Sequence, residues 1–182
     1  MPEYRPPQRI LPARILTPSG WMRGTFHVPR MQSLLDFVSQ QAPFFSLTGV
    51  ELASSQIVMP FVALRRSAAN LIVPACDERS LLLAREQPNA VVLTVTCVLE
   101  AGTVSGRLAV PPHLRVSDYL AHSAGFLVMR DADLGLAGVL APIVLVNAGA
   151  LVALSDSAPA AAAEAAPERP GDGDARRGLA HA

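Results

Sequence analysis

Two stretches decide how this chain is read. They are Gly20-Trp21-Met22-Arg23-Gly24-Thr25-Phe26-His27-Val28-Pro29 and Gly102-Thr103-Val104-Ser105-Gly106-Arg107-Leu108-Ala109-Val110-Pro111. They lie 82 residues apart and match without a gap at the opening glycine, the central glycine and the closing Val-Pro. In the second stretch the apolar positions alternate, as in a strand with one face buried. A glycine in mid-strand marks a bulge or a sharp bend.

Working outward in the same frame, Asp36 falls on Asp118, Ala42 on Ala124 and Phe44 on Phe126. Leu52 falls on Leu134, Pro60 on Pro142, Val62 on Val144 and Ala68 on Ala150. Between these positions apolar mostly meets apolar. Internal repetition is sought first because it reorganises every other inference about fold. The alternative is two unrelated β-rich segments with similar turn spacing. It leaves the coincidence of Gly, Pro, Asp and Phe without a cause.

Each copy spells the same elements. A first strand covers Arg9 to Thr17, or Val91 to Leu99, and turns into the quoted strand. A proline ends that strand, and one or two turns of helix follow. Gln32-Ser33 starts the first helix; Ser117 or Asp118 caps the second. A third strand follows at Phe44 to Leu52 and Phe126 to Leu134, and a fourth begins after Pro60 and Pro142. A turn then leads to the last strand, at Leu71 to Val73 and Ala150 to Ser155. Asn147-Ala148-Gly149 reads as the positive-φ turn of a tight hairpin.

The reading predicts a mainly β chain. It has two tandem five-stranded barrel-like modules, at 1–76 and 90–156, each with a short helix between strands 2 and 3. Closure of each barrel removes its exposed edges. Residues 77–89 form a helical linker. Residues 157–182, rich in Ala, Pro and Gly, form a disordered tail.

About half of the 182 residues are apolar and the formal net charge is zero. A core is therefore expected, and a general basic excess for nucleic acid is missing. The charge is uneven along the chain. Residues 1–76 carry seven arginines against Glu3, Asp36 and Glu51. Residues 90–156 carry three against five acids. All fifteen basic residues are arginine, which excludes Schiff-base lysine chemistry and a P-loop lysine. Cys76 and Cys97 make no disulfide framework, and Cys97 sits in an apolar run. The N-terminal residues show no signal-peptide core, and the longest apolar stretch is too short to span a bilayer. The expectation is a cytoplasmic protein with no membrane role.

The pattern of a strand glycine followed by an Asp in the next connection appears at Gly24 with Asp36 and at Gly106 with Asp118. With the apolar strand–turn–strand end, Ile143 to Leu154, it resembles the Sm-like and SH3-like small barrels. The Asp lies further from the Gly than is usual there, and no Asn follows it. Asn147-Ala148-Gly149 and Arg65-Arg66-Ser67 replace the family's basic-Gly turn. The resemblance implies the fold and, as a second expectation, contact with RNA.

The repeat anchors Gly24, Asp36, Gly106 and Asp118 read as structural: turn, bulge and helix-start residues. Arg23, Arg30, Arg65 and Arg66 are candidate contacts for an anion or nucleic acid, because guanidinium forks match phosphate and carboxylate. Trp21 follows a turn glycine and is matched by Thr103. It reads either as a partner contact or as a core-capping residue. Other aromatics are expected in the core, leaving no base-stacking platform. His27, His113, His122 and His181 lack metal-ligand spacing. No catalytic residue, metal or cofactor is expected. The functional expectation is a non-enzymatic binding or assembly protein, an adaptor or regulator, which engages a protein partner or itself. The alternative is nucleic-acid binding through the arginine-rich first module.

Overall fold

The computed structural model describes residues 7–40, 42–55, 57–75, 89–123, 125–135 and 139–156. The first half contains β1 (Gln8–Thr17), β2 (Gly20–Pro29), α1 (Leu34–Ser39), β3 (Phe44–Leu52), β4 (Val58–Arg65) and β5 (Leu71–Pro74). The second contains β6 (Val91–Leu99), β7 (Gly102–Val110), α2 (Val116–His122), β8 (Phe126–Asp133), β9 (Leu140–Asn147) and β10 (Leu151–Ser155). All ten strands join one antiparallel sheet in the order β10-β6-β7-β8-β9-β5-β1-β2-β3-β4.

Most strand pairings of the first half recur in the second with 82 added. Leu16 pairs Trp21 and Val98 pairs Thr103. Arg23 pairs Glu51 and Ser105 pairs Asp133. Phe45 pairs Leu64 and Leu127 pairs Val146. Ile72 pairs Ile15 and Leu154 pairs Cys97. The irregularity opposite the strand glycine recurs as well. Gly24 faces Gly49-Val50, and Gly106 faces Asp131-Ala132. Gly49 and Asp131 both carry positive φ, at 58° and 48°. A bulge with its first residue left-handed bends the strand and adds twist. Pro60 and Pro142 lie at the ladder positions opposite these two residues, where no pair forms. Their missing N–H groups therefore break no bond.

The expected closure of each half is corrected here. Among the described residues β4 and β10 pair on one side only, and β5 pairs with β9 of the other half. Closing strands satisfies edges, but so does joining them to a neighbour. In this chain the inner edges meet each other, and the sheet keeps two outer edges. The turns before β5 and β10 are short 3-10 segments, Arg66–Ala68 and Ala148–Ala150, not positive-φ hairpins. The cause is topological: β10 leaves β9 to pair with β6.

Two cores result. The first gathers Leu11, Ile15, Phe26, Leu34, Val38, Phe45 and Leu47, with Phe126, Ile143 and Leu145 from the second half. The second gathers Val95, Cys97, Val104, Leu108, Leu127 and Met129, with Leu16, Leu71 and Val73 from the first half. Alternate side chains of β5 thus enter different cores: Ile72 the first, Leu71 and Val73 the second. Strands buried on both faces carry continuous apolar runs, which accounts for Leu71-Ile72-Val73 and for Ile143 to Val146. Phe26 packs edge-on to Phe37 and Phe45, at centroid distances of 6.3 and 5.8 Å. Phe45 in turn meets Phe126 across the junction at 6.3 Å.

The helices differ at their starts. Ser33 caps α1: its Oγ accepts from the Asp36 backbone N–H at 3.0 Å and donates to Asp36 Oδ2 at 2.7 Å. The start of α2 is Arg115, with no side-chain cap. Ser117 and Asp118 lie inside its first turn rather than capping it. Phe44 and Phe61 depart from the core-facing expectation and lie exposed. The linker 77–89, apart from Asn89, falls outside the described residues, as do Cys76 and the tail.

A Cβ on Gly106 would stand 3.0 Å from the Arg130 carbonyl oxygen and 3.1 Å from Ala132 Cα, both backbone. On Gly24 the nearest atom is a Val50 methyl at 3.2 Å, which can shift. Gly106→Ala is therefore expected to cost about 1–3 kcal/mol of stability, and Gly24→Ala clearly less, in urea unfolding followed by circular dichroism. Equal costs would contradict this account of the bulge.

Candidate functional site at the junction of the two halves

Among the described residues several clefts are lined from both halves. The first, of about 450 Å³, is lined by Arg14, Trp21, Arg23 and Glu51 of the first half and by Leu134 and Val139 of the second, among others. Its Arg14, Arg23 and Glu51 also line a neighbouring one of about 580 Å³. Strand register places these charges. Counted out from the turn at Gly20, Arg14 lies opposite Arg23, and Arg23 lies opposite Glu51. Arg14, Arg23 and Glu51 form one row across three strands. Like charges directly opposite one another are unfavourable. The same row in the second half holds Thr96 and Ser105, whose hydroxyls share a hydrogen bond at 2.9 Å.

Trp21 forms the wall of this cleft. Its ring packs against the second core from a first-half strand. The Arg14 guanidinium carbon lies 5.7 Å from the ring centroid, within cation–π range. Trp21 is half-buried, so it serves as a junction residue while still presenting part of its surface. The Arg23 side chain is exposed and has no hydrogen-bond or ion-pair partner among the described residues. Arg14 was not singled out from the sequence. Hairpin counting across Pro18-Ser19-Gly20 was the signal for it.

The second cleft, of about 460 Å³, brings Arg65, Arg66 and Ser67 together with Ser123, Gly125 and Asn147. Arg66 is held in place: its Nη1 donates to the Gln40 carbonyl at 2.7 Å. Arg65 is exposed. Asn147 is buried and committed to the junction. Its Nδ2 donates to the Ala69 carbonyl at 3.0 Å, its Oδ1 accepts from Gly149 N–H at 3.0 Å, and its backbone N–H donates to the Asn70 carbonyl at 2.9 Å.

The other candidate residues do not converge on these clefts. Arg30 lines neither; its backbone N–H bonds the Pro7 carbonyl after β2. Asp36 is engaged with Ser33 in the start of α1. Asp118 lies in the first turn of α2, its carbonyl bonded to His122 Nδ1 at 2.7 Å. His27 Nε2 meets Thr48 Oγ1 at 2.7 Å. Among the described residues no group of three His, Cys, Asp or Glu side chains is placed to hold a metal ion, and no helix is long and apolar enough to cross a membrane.

Cys97 is fully buried, its Sγ 3.5 Å from Met129 Sδ. Burial pushes its thiol up to about 11. A thiol held neutral and inaccessible is a poor nucleophile.

Comparison with known proteins finds no matching family model, no matching curated protein and no matching solved structure.

Two outcomes are expected. Asn147→Ala leaves the Ala69 carbonyl unpaired in a buried place and should cost about 1–3 kcal/mol in chemical unfolding. In a Cys76→Ser background, Cys97 should resist a thiol reagent in the folded protein and react at once in denaturant. The unfolded chain gives up this proton near pH 9 and the folded chain near 11, so this thiol's contribution to stability falls as pH rises through that window. Rapid native labelling would contradict the buried placement.

Proposed function

We propose that this chain is a non-enzymatic binding and assembly protein, an adaptor or regulator, built from a duplicated small β-barrel-type module. The observation that carries the reading is the Arg14–Arg23 pair, set opposite each other beside Trp21 in a cleft lined from both halves. Two arginines at opposite ladder positions are unfavourable neighbours, and an anionic ligand group between them offsets this. A planar guanidinium fork suits a carboxylate, and a half-buried Trp supplies an apolar wall. The ligand class this favours is an acidic segment of a protein partner carrying an apolar or aromatic residue. Glu51 in the same row disfavours a ligand of dense negative charge.

The second reading is nucleic-acid binding, by analogy with Sm-like barrels. It is supported by the second cleft, where exposed Arg65 stands beside Arg66 and backbone at Gly125 and Gly149. Arginine side chains are among the commonest sources of phosphate contacts.

The chain has one tryptophan, in the first cleft, so its fluorescence reports binding there. Titration with a short Glu- and Phe-containing peptide should shift Trp21 emission at low salt. The double variant Arg14→Ser, Arg23→Ser should weaken binding at least about tenfold, from loss of charge-assisted bonds. An unchanged spectrum, or equal affinity in the double variant, contradicts the assigned cleft. A gel shift with single-stranded RNA and DNA at two salt concentrations tests the second reading. Retardation lost on Arg65→Ala plus Arg66→Ala supports it, and no retardation at low salt removes it.

A further inference from the structure

We propose that copies of this chain join head to tail, β10 of one pairing with β4 of the next, in the register that β5 and β9 use within the chain. The inference gives the assembly reading above a partner, a second copy. It stands on different residues from the ligand cleft.

The argument starts from the internal junction. There β5 pairs with β9 through Leu71↔Val146 and Ile72↔Leu145. Within the 82-residue frame β10 corresponds to β5, and β4 corresponds to β9. Among the described residues both are outer edges of the sheet. The chain therefore carries one copy of this interface made and the two halves of another unmade. Transferred to the outer edges, the register sets Ala153 against Leu64 and Leu154 against Ala63 of the next copy.

Burial supports the transfer. Phe126 and Ile143, which enter the first core across the junction, are 8% and 4% exposed. Their counterparts on the outer side, Phe44 and Phe61, are 54% and 58% exposed. Two aromatic side chains thus lie open at the positions where the made interface buries its apolar contacts. On the other edge Val152 is exposed as well. Edges that stand alone in solution usually carry charge, above all lysine. Here β4 carries only Arg65, at its end, and β10 carries no charge. Pro60 is no obstacle, because its counterpart Pro142 lies outside the residues that β5 pairs.

One detail differs. The position of Asn147 is taken in the first half by Arg65. Asn147 donates to the carbonyls of Ala69 and Arg66. Their counterparts are Leu151 and Ala148. A guanidinium has donors enough for both, so Arg65 of one copy takes the Asn147 role on the next. A heterologous interface of this kind makes rings when its rotation closes and filaments when it does not.

Light scattering of the whole chain across concentration tests the proposal, and a mass well above one chain, 19.2 kDa, is expected. Phe61→Glu blocks the β4 edge and Ala153→Arg blocks the β10 edge. Each alone should weaken assembly at least about a hundredfold, since each buries an unpaired charge. Mixed together, each supplies the edge the other lacks, so the mixture should form one-to-one dimers and nothing larger. Circular dichroism checks folding, and Phe44→Glu with Val152→Arg is the reserve pair. Three results each overturn the proposal: a wild type monomeric at about 100 µM, variants that leave the mass unchanged, or a mixture that stays monomeric. Peptide binding at Trp21 is scored separately, so failure of assembly and failure of the cleft reading are told apart.

Discussion

The pairing of β5 with β9 is the contact on which the rest of the molecule depends. It is short, two register pairs, yet it decides the burial of both halves. Because those strands meet, side chains leave them on both faces into covered space. Ile72, Ile143 and Leu145 enter the first core, while Leu71, Val144 and Val146 enter the second. Fully burying a side chain of this size contributes about 1.5–3 kcal/mol, so these six outweigh the few backbone bonds of the ladder. Asn147 then locks the crossing by satisfying backbone groups that the tight turn leaves open.

The same junction creates the functional surfaces. Both clefts are lined from both halves, and neither is complete in one half alone. The residues shared between the halves are the ones that make the sheet: Gly24 and Gly106 at the bulges, Gly20 and Gly102 with positive φ at the hairpins. Several of the residues that differ line the clefts. Trp21, Arg14 and Arg23 stand where the second half has Thr103, Thr96 and Ser105. The shared positions build the scaffold, and the differences at equivalent positions give the clefts their chemistry.

Much of the fold was legible in sequence because strand, turn and bulge signals are local. The alternation of Val104 to Val110, the glycine in mid-strand and the Ser33 helix start all act within a few residues. The junction was not legible in the same way. Leu71 and Val146 are far apart in sequence, and no local pattern says which edge a strand will choose. A clue existed in the unbroken apolar run Ile143 to Val146, which marks a strand covered on both sides. Read as closing its own half, it gave the barrel that the sheet does not form. Phe44 and Phe61 escaped for the opposite reason. Their apolar character implied burial, but Phe61 lies on the outer strand β4 and Phe44 on its neighbour β3, and both are exposed. Of the candidate site, Trp21 and Arg23 were visible as differences between the two halves, whereas Arg14 needed the hairpin register to bring it opposite Arg23.

The most direct test of the central claim is native-state hydrogen exchange of the Asn147 amide, which donates to the Asn70 carbonyl at the crossing. If the halves form one sheet joined at β5 and β9, this amide exchanges as slowly as those of the hairpin β1–β2, with a free energy close to that of global unfolding. Exchange at the rate of the 3-10 turn amides, while β1–β2 stays protected, would show that the halves part independently and contradict the account.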